Sequence, residues 1–85
     1  MVIDIVMPDL STLDYIMEKG TVVRWLKKEG EAIQKGEPIL EIMSAKVTME
    51  IEAQTSGILT RILVTEGLEV PPGTVLGIIK QSSLH

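Results

Sequence analysis

The sequence predicts an all-β domain, a sandwich or barrel, from three observations. Short apolar runs alternate with turns that contain Gly or Pro, and no segment keeps a convincing long helical period. Hydrophobic residues make up 45% of the chain, with one Trp, one Tyr and no Phe. Val, Ile and Leu must therefore fill the core, and β-branched residues suit a pleated sheet. The third observation is an internal repeat at an offset of 37 residues.

The repeat relates two halves of a chain whose 85 residues allow one domain. Between residues 20 and 42, seven of the 23 positions are identical to the residue 37 positions later. The identical pairs are Gly20 and Gly57, Arg24 and Arg61, Leu26 and Leu63, Glu29 and Glu66, Gly30 and Gly67, Gly36 and Gly73, and Ile42 and Ile79.

The predicted strands, in chain order, are residues 3–7, 21–26, 39–43, 48–52, 58–64 and 75–79. A Glu-Gly turn closes the second and the fifth, and a Lys-Gly or Pro-Gly turn follows six residues later. Gly supplies the positive φ that such turns need. The opening strand matches residues 48–52 at an offset of 45 rather than 37, so eight extra residues are expected between Pro8 and Gly20.

These extra residues belong to a loop, residues 9–19, that is more apolar than a polar linker would be. We expect the loop to fold against the domain surface. Its candidate partner-contacting residues are Leu10, Leu13, Tyr15 and Ile16. The alternative is a loop that apolar side chains merely anchor.

A hairpin is predicted between the halves, over residues 39–53. Leu40 and Ile42 alternate with polar or outward residues, and the same period of two resumes after Ser44-Ala45-Lys46-Val47. A two-fold relation between the halves places this tip opposite the paired chain ends. A group attached to Lys46 would then project away from any linker, although an exposed turn lysine is usually just a solubilising charge.

Composition argues against several other functions. The formal net charge is −4 and the chain lacks a basic stripe, so we expect no nucleic-acid partner. No apolar run reaches a membrane-spanning length and no export signal is evident, so a soluble intracellular protein is expected. Cys is absent, and the one His is His85. The tip has no nucleophile–base pair, so a free-standing enzyme is disfavoured.

The sequence resembles the lipoyl domains of dihydrolipoamide acyltransferases, which belong to the 2-oxo acid dehydrogenase complexes. The resemblance covers nearly the whole chain and is carried by Met7-Pro8, Leu10-Ser11, Gly20-Thr21-Val22-Val23, Trp25-Leu26-Lys27-Lys28-Glu29-Gly30, Lys35-Gly36-Glu37, Lys46, Glu50-Ile51-Glu52-Ala53 and Ser56-Gly57. It implies a flattened barrel or sandwich of two four-stranded antiparallel sheets with quasi-two-fold symmetry, a barrel-sandwich hybrid. The domain would span residues 1–80, and residues 81–85 would start a linker or tail.

The resemblance also implies a non-catalytic carrier with lipoic acid bound covalently, as an amide, to Lys46. Its implied partners are a thiamine-dependent 2-oxo acid dehydrogenase, the acyltransferase catalytic core that transfers the acyl group to coenzyme A, dihydrolipoamide dehydrogenase and lipoate-protein ligase. A tethered arm raises the effective concentration of substrate at each active site. A monomeric isolated domain is expected, cytoplasmic in a prokaryote or in the mitochondrial matrix if it is a mature eukaryotic fragment.

The recognition surface around the tip departs from the family pattern at three positions. Ala45 and Val47 stand where the family commonly has Asp and Ala, and Met43 replaces the usual acidic residue. Ser44 belongs to the same surface, and Gly30 and Gly57 match glycines that flank the site in the family.

Two rival functions remain open. A biotinyl carrier domain of a carboxylase shares the fold, but its motif is Ala-Met-Lys-Met, of which this chain keeps only apolar flanks. An unmodified hammerhead-type adaptor domain often lacks the tip lysine, so Lys46 argues against that alternative. A glycine-cleavage carrier protein is similar in fold but longer.

Overall fold

The computed structural model describes residues 1–45 and 47–82, and this part of the chain forms eight strands and no helix. The strands are β1 (Val2–Val6), β2 (Gly20–Trp25), β3 (Ala32–Ile33), β4 (Pro38–Ser44), β5 (Val47–Glu52), β6 (Gly57–Ile62), β7 (Glu69–Val70) and β8 (Val75–Gln81). The sequence predicted six of them. It missed β3 and β7 because two residues are too few to show a period.

The strands form two four-stranded antiparallel sheets in the orders β1-β8-β6-β3 and β5-β4-β2-β7. Each sheet takes strands from both halves, and the two orders are related by exchanging the halves. The predicted all-β class, the two four-stranded antiparallel sheets that the resemblance implied and the quasi-two-fold symmetry are confirmed. The described sheets do not close into a barrel. They stack as a flattened sandwich whose extents are 44 × 24 × 17 Å.

The repeat is visible in individual hydrogen bonds. The Glu29 carboxylate accepts a hydrogen bond from the backbone N–H of Ile62 at 2.7 Å. The equivalent bond joins the residues 37 positions from these two: the Glu66 carboxylate accepts a hydrogen bond from the backbone N–H of Trp25 at 2.9 Å. Because each half supplies the acid that satisfies a strand end of the other, the paired Glu-Gly turns fasten the two sheets together.

The offset of the opening strand is 46, not the predicted 45. Ile5 lies opposite Gly77 in β8, and Ile51 lies opposite Leu40 in β4. Gly77 and Leu40 are 37 positions apart, so Ile5 and Ile51 are counterparts. An error of one residue turns every side chain to the wrong face, and only the offset of 46 aligns the apolar positions of β1 and β5. The insertion between β1 and β2 is therefore nine residues, not eight.

The core lies between the sheets and is almost entirely aliphatic. Its most buried side chains, each at most 2% exposed, are Met7, Val22, Ile33, Ile39, Leu40, Ile42, Leu59, Leu76 and Ile79. Full burial of one such side chain contributes roughly 1.5–3 kcal/mol. Trp25 is half-buried at the edge of this core and donates its indole N–H to the Val64 carbonyl at 2.8 Å.

Strand β8 ends at Gln81, one residue beyond the predicted domain limit, because Gln81 pairs with Gly57. The proposed linker start lies largely in residues 83–85, outside the described residues. In the described part of the chain, no helix is long and apolar enough to cross a membrane.

Candidate functional site at the hairpin tip

The site is built on the β4–β5 hairpin. Its ladder runs from the pair Pro38 and Glu52 to the pair Ser44 and Val47, which the chain joins through Ala45 and Lys46. Two-residue loops of this kind require positive φ, and Ala45 has φ of 53°. An L-residue pays roughly 1–2 kcal/mol for this conformation. Lys46 itself lies outside the described residues, so its attachment role stays a prediction.

The tip lies at the far end of the hairpin from both chain ends, as the symmetry predicted. The N–H of Gln81 donates to the Met1 carbonyl at 2.8 Å, and that of Ser82 to the Ser56 carbonyl at 2.9 Å. Ser56 follows the base of the hairpin, and its hydroxyl accepts from the Lys35 N–H. The seven residues of β4 separate the two ends by about 20 Å.

The residues around Lys46 differ in exposure. Val47 is 59% exposed, Met43 is 39% exposed and Ala45 is also exposed. Ser44 is only 4% exposed, so its side chain lies beneath the tip surface. The alternation of β4 explains the difference, because Ser44 shares the inner face with Ile42.

The loop over residues 9–19 packs on this hairpin, as the sequence predicted. The Tyr15 and Ser44 hydroxyls are hydrogen-bonded at 2.7 Å, 29 positions apart in sequence. The loop residues divide into two sets. Leu10 and Tyr15 are half-buried against the domain, whereas Leu13 and Ile16 are 105% and 78% exposed and remain free to contact another molecule.

Internal hydrogen bonds hold the loop in shape. The Ser11 hydroxyl and N–H both donate to the Asp9 carboxylate, and these bonds lower the pKa of Asp9. The Met17 N–H donates to the Ser11 hydroxyl at 3.0 Å, and Thr12 and Tyr15 form a β-bridge. Met17 is buried (4%) and anchors the end of the loop in the core. Tyr15 is therefore presented to Ser44 from a folded turn.

A surface groove opens between the loop and the hairpin, which we name the tip groove. Its lining residues are Leu10, Thr12, Tyr15, Ser44, Ala45, Val47 and Met49. None of these described lining residues is charged. Met49 also lines a slot between the edge strands β1 and β5, together with Ile3, Ile5 and Ile51, so groove and slot share a wall. The sequence did not indicate Thr12 or Met49 as site residues, although the inward period of β5 was a signal for Met49.

Gly30 and Gly57, predicted to flank the tip, are placed elsewhere. Gly57 pairs with Gln81 beside the chain ends, where a Cβ would overlap the Lys80 carbonyl. Gly30 lies in the turn before β3 with φ of 88°, and its N–H donates to the Leu59 carbonyl at 2.7 Å. Both glycines serve backbone geometry, one by close strand approach and the other by positive φ.

The described residues contain no group of three His, Cys, Asp or Glu side chains arranged to hold a metal ion. The described part of the tip therefore offers an apolar groove and a tight turn.

Comparison with known proteins identifies relatives of the whole fold. A family model described as "Biotin-requiring enzyme", for biotinyl and lipoyl domains, matches residues 3–79. The solution structure of the lipoyl domain of the 2-oxoglutarate dehydrogenase complex from Azotobacter vinelandii is similar, with a TM-score of 0.72 and 33% identity. That similarity covers 89% of this chain and 99% of the Azotobacter domain.

Two curated relatives are longer proteins. The chain is 47% identical, over 76 residues, to the dihydrolipoyllysine-residue acetyltransferase component of the acetoin cleaving system of Bacillus subtilis. It is 40% identical, over 82 residues, to the corresponding component of the pyruvate dehydrogenase complex of Rickettsia conorii. These matches cover 89% and 95% of this chain but only 18% and 19% of the relatives' lengths.

Proposed function

The chain belongs to the family of biotinyl and lipoyl domains and is a lipoyl domain, and we propose that it carries lipoic acid as an amide on Lys46. One observation above all supports this position: Ser44 and Val47, which flank Lys46 in the sequence, form the last pair of the hairpin, at the end of the domain opposite the chain termini. An attached arm there would extend away from the rest of a longer protein.

The neighbouring residues suit the attached group. A lysine amine forms an amide on a long flexible stem, and amide formation removes its positive charge. The described walls of the tip groove next to Ala45 and Val47 are uncharged, so they match a neutral aliphatic arm better than a cation. When attached, lipoic acid supplies a dithiolane that accepts and releases an acyl group.

The domain is proposed to act as a non-catalytic carrier. Its own residues would position the arm and be recognised by enzymes. The proposed partners are a thiamine-dependent 2-oxo acid dehydrogenase, an acyltransferase core, dihydrolipoamide dehydrogenase and lipoate-protein ligase. The relatives in acetoin-cleaving and pyruvate dehydrogenase systems support this assignment. Because those two relatives are bacterial, we also propose a cytoplasmic location.

The first test is intact mass and peptide mapping of the protein from its native host. A lipoyl adduct on Lys46 supports the proposal, whereas a biotin adduct would assign a biotinyl carrier. An unmodified Lys46 in cells that lipoylate other proteins would refute the carrier role. Lys46→Arg is the matched control, because it keeps the charge and should abolish attachment without changing the amide NMR spectrum elsewhere.

A further inference from the structure

The tip groove is an apolar surface that the fold itself leaves uncovered. Its walls are formed by the loop residues Leu10 and Tyr15 on one side and by Val47 and Met49 of β5 on the other. Val47 is 59% exposed and Met49 is 38% exposed. Covering apolar surface of this kind with a neutral aliphatic group is favourable, because it removes that surface from water.

The hydroxyl groups of the groove already have hydrogen-bond partners. The hydroxyls of Tyr15 and Ser44 bond to each other at 2.7 Å, and no buried side-chain polar atom among the described residues lacks a partner. An occupant therefore needs no hydrogen-bonding group to enter, and a charged occupant would lose its hydration without gaining an opposite charge.

The groove borders the turn of the β4–β5 hairpin. Ala45 and Val47, the two residues bonded to Lys46, both line it. A group on Lys46 is consequently delivered to the groove at high effective concentration, without a separate binding event. Met49 lines both this groove and the slot between β1 and β5.

We propose that the tip groove is a seat for the aliphatic part of the arm attached to Lys46. This inference rests on the proposed function. The seat is available to a neutral, amide-linked arm and disfavours the free lysine cation, so seating depends on modification. The arm then exchanges between a seated position against Tyr15 and Met49 and a free position that partner enzymes can reach.

The test uses the full chain with Nε-octanoyl-lysine inserted at position 46 during translation, so that no ligase is needed. Proton NMR should show nuclear Overhauser contacts from the octanoyl chain to the Met49 ε-methyl, the Val47 methyls and the Tyr15 ring. The Met49 methyl resonance should also shift relative to the unmodified chain. Octanoyl resonances identical to those of free Nε-octanoyl-lysine, without these contacts, would overturn the proposal and leave the groove to a partner protein.

The hairpin supplies a matched pair of variants. Met49 and Met43 are 38% and 39% exposed and lie on opposite faces, and only Met49 lines the groove. Met49→Glu should abolish the contacts between the octanoyl chain and Tyr15, whereas Met43→Glu should preserve them. The reverse pattern would contradict the seat. Should Met49→Glu fail to fold, the contacts in the unsubstituted domain still decide.

Two further outcomes separate this inference from other occupants and from the proposed function. Chemical-shift changes of the groove residues that grow with protein concentration in the unmodified domain would assign the groove to a second copy of the chain and overturn the seat. Missing arm contacts in the octanoyl protein, together with a lipoyl adduct on native Lys46, would refute the seat alone. An unmodified native Lys46 would refute the carrier function and the seat with it.

Discussion

Replacing Tyr15 with Phe should destabilise the domain, because it removes the partner of a buried hydroxyl. Ser44 is 4% exposed, and its hydroxyl is bonded to Tyr15 at 2.7 Å. A buried polar group left without a partner costs about 1–3 kcal/mol. For a domain of 60–100 residues, each kcal/mol lowers the Tm by roughly 4–8 °C. Tyr15→Phe should therefore lower the Tm by at least about 4 °C.

The assays are thermal melting and urea denaturation of four proteins: wild type, Tyr15→Phe, Ser44→Ala and the double variant. Ser44→Ala should cost less than Tyr15→Phe, because Tyr15 is half-buried whereas Ser44 is 4% exposed, so leaving the Ser44 hydroxyl without a partner carries the larger penalty. The double variant should be more stable than the sum of the single changes predicts, since neither hydroxyl is then left without its partner. Equal stability of Tyr15→Phe and wild type, or strict additivity, would refute the claim that this bond holds the loop on the hairpin.

Three other changes test separate parts of the structure. Ala45→Asn should raise the free energy of unfolding by about 1 kcal/mol, since Asn tolerates the left-handed region better than Ala; an unchanged urea midpoint would count against the turn geometry. Gly57→Ala should destabilise by roughly 1–3 kcal/mol because its Cβ overlaps a facing carbonyl, and a neutral effect in thermal melting would contradict the register of β6 and β8. The pKa of Glu37 is lowered by a hydrogen bond from the Gln34 N–H and by Lys27. The stability that the Glu37 carboxylate contributes is therefore complete above the unfolded-state pKa of about 4.3, and it is lost as the pH falls through the lower folded-state pKa. Glu37→Gln should flatten that acid limb in pH-dependent urea titrations, and an unchanged limb would show that other carboxylates produce it.

The sequence predicts the fold well because the two-fold symmetry of the domain is marked by turn residues whose backbone conformation other residue types do not readily adopt. Glycines and Glu-Gly turns recur at an offset of 37, and the structure places them at equivalent turns. The opening strand carries no such residue. Its register depends on alternating apolar side chains alone, and aligning the ends of the runs instead of Ile5 with Ile51 gave an offset one residue too small.

The site was harder to predict, because proximity in sequence does not give position in space. Gly57 lies eleven residues after Lys46, yet it belongs to the sheet edge beside the chain ends. Ser44 lies two residues before Lys46, yet it faces the core. The bond between Tyr15 and Ser44 crosses 29 positions, and no local pattern encodes such a contact. A polar residue on the inner face of β4 was the only signal that a partner must cover it.

Two departures from the two-fold symmetry meet at the same end of the molecule, and this coincidence supports the proposed site. Only one of the two equivalent strand pairs is closed by a short turn, since β4 continues directly into β5 whereas β1 and β8 are the first and last strands of the domain. Thirteen residues separate β1 from β2, against four between β5 and β6. This longer loop lies over the closed turn, where Tyr15 bonds to Ser44. A loop that only connects strands could be as short as its counterpart. The nine extra residues are explained by what they form with the tip, an apolar groove lined by Ala45 and Val47.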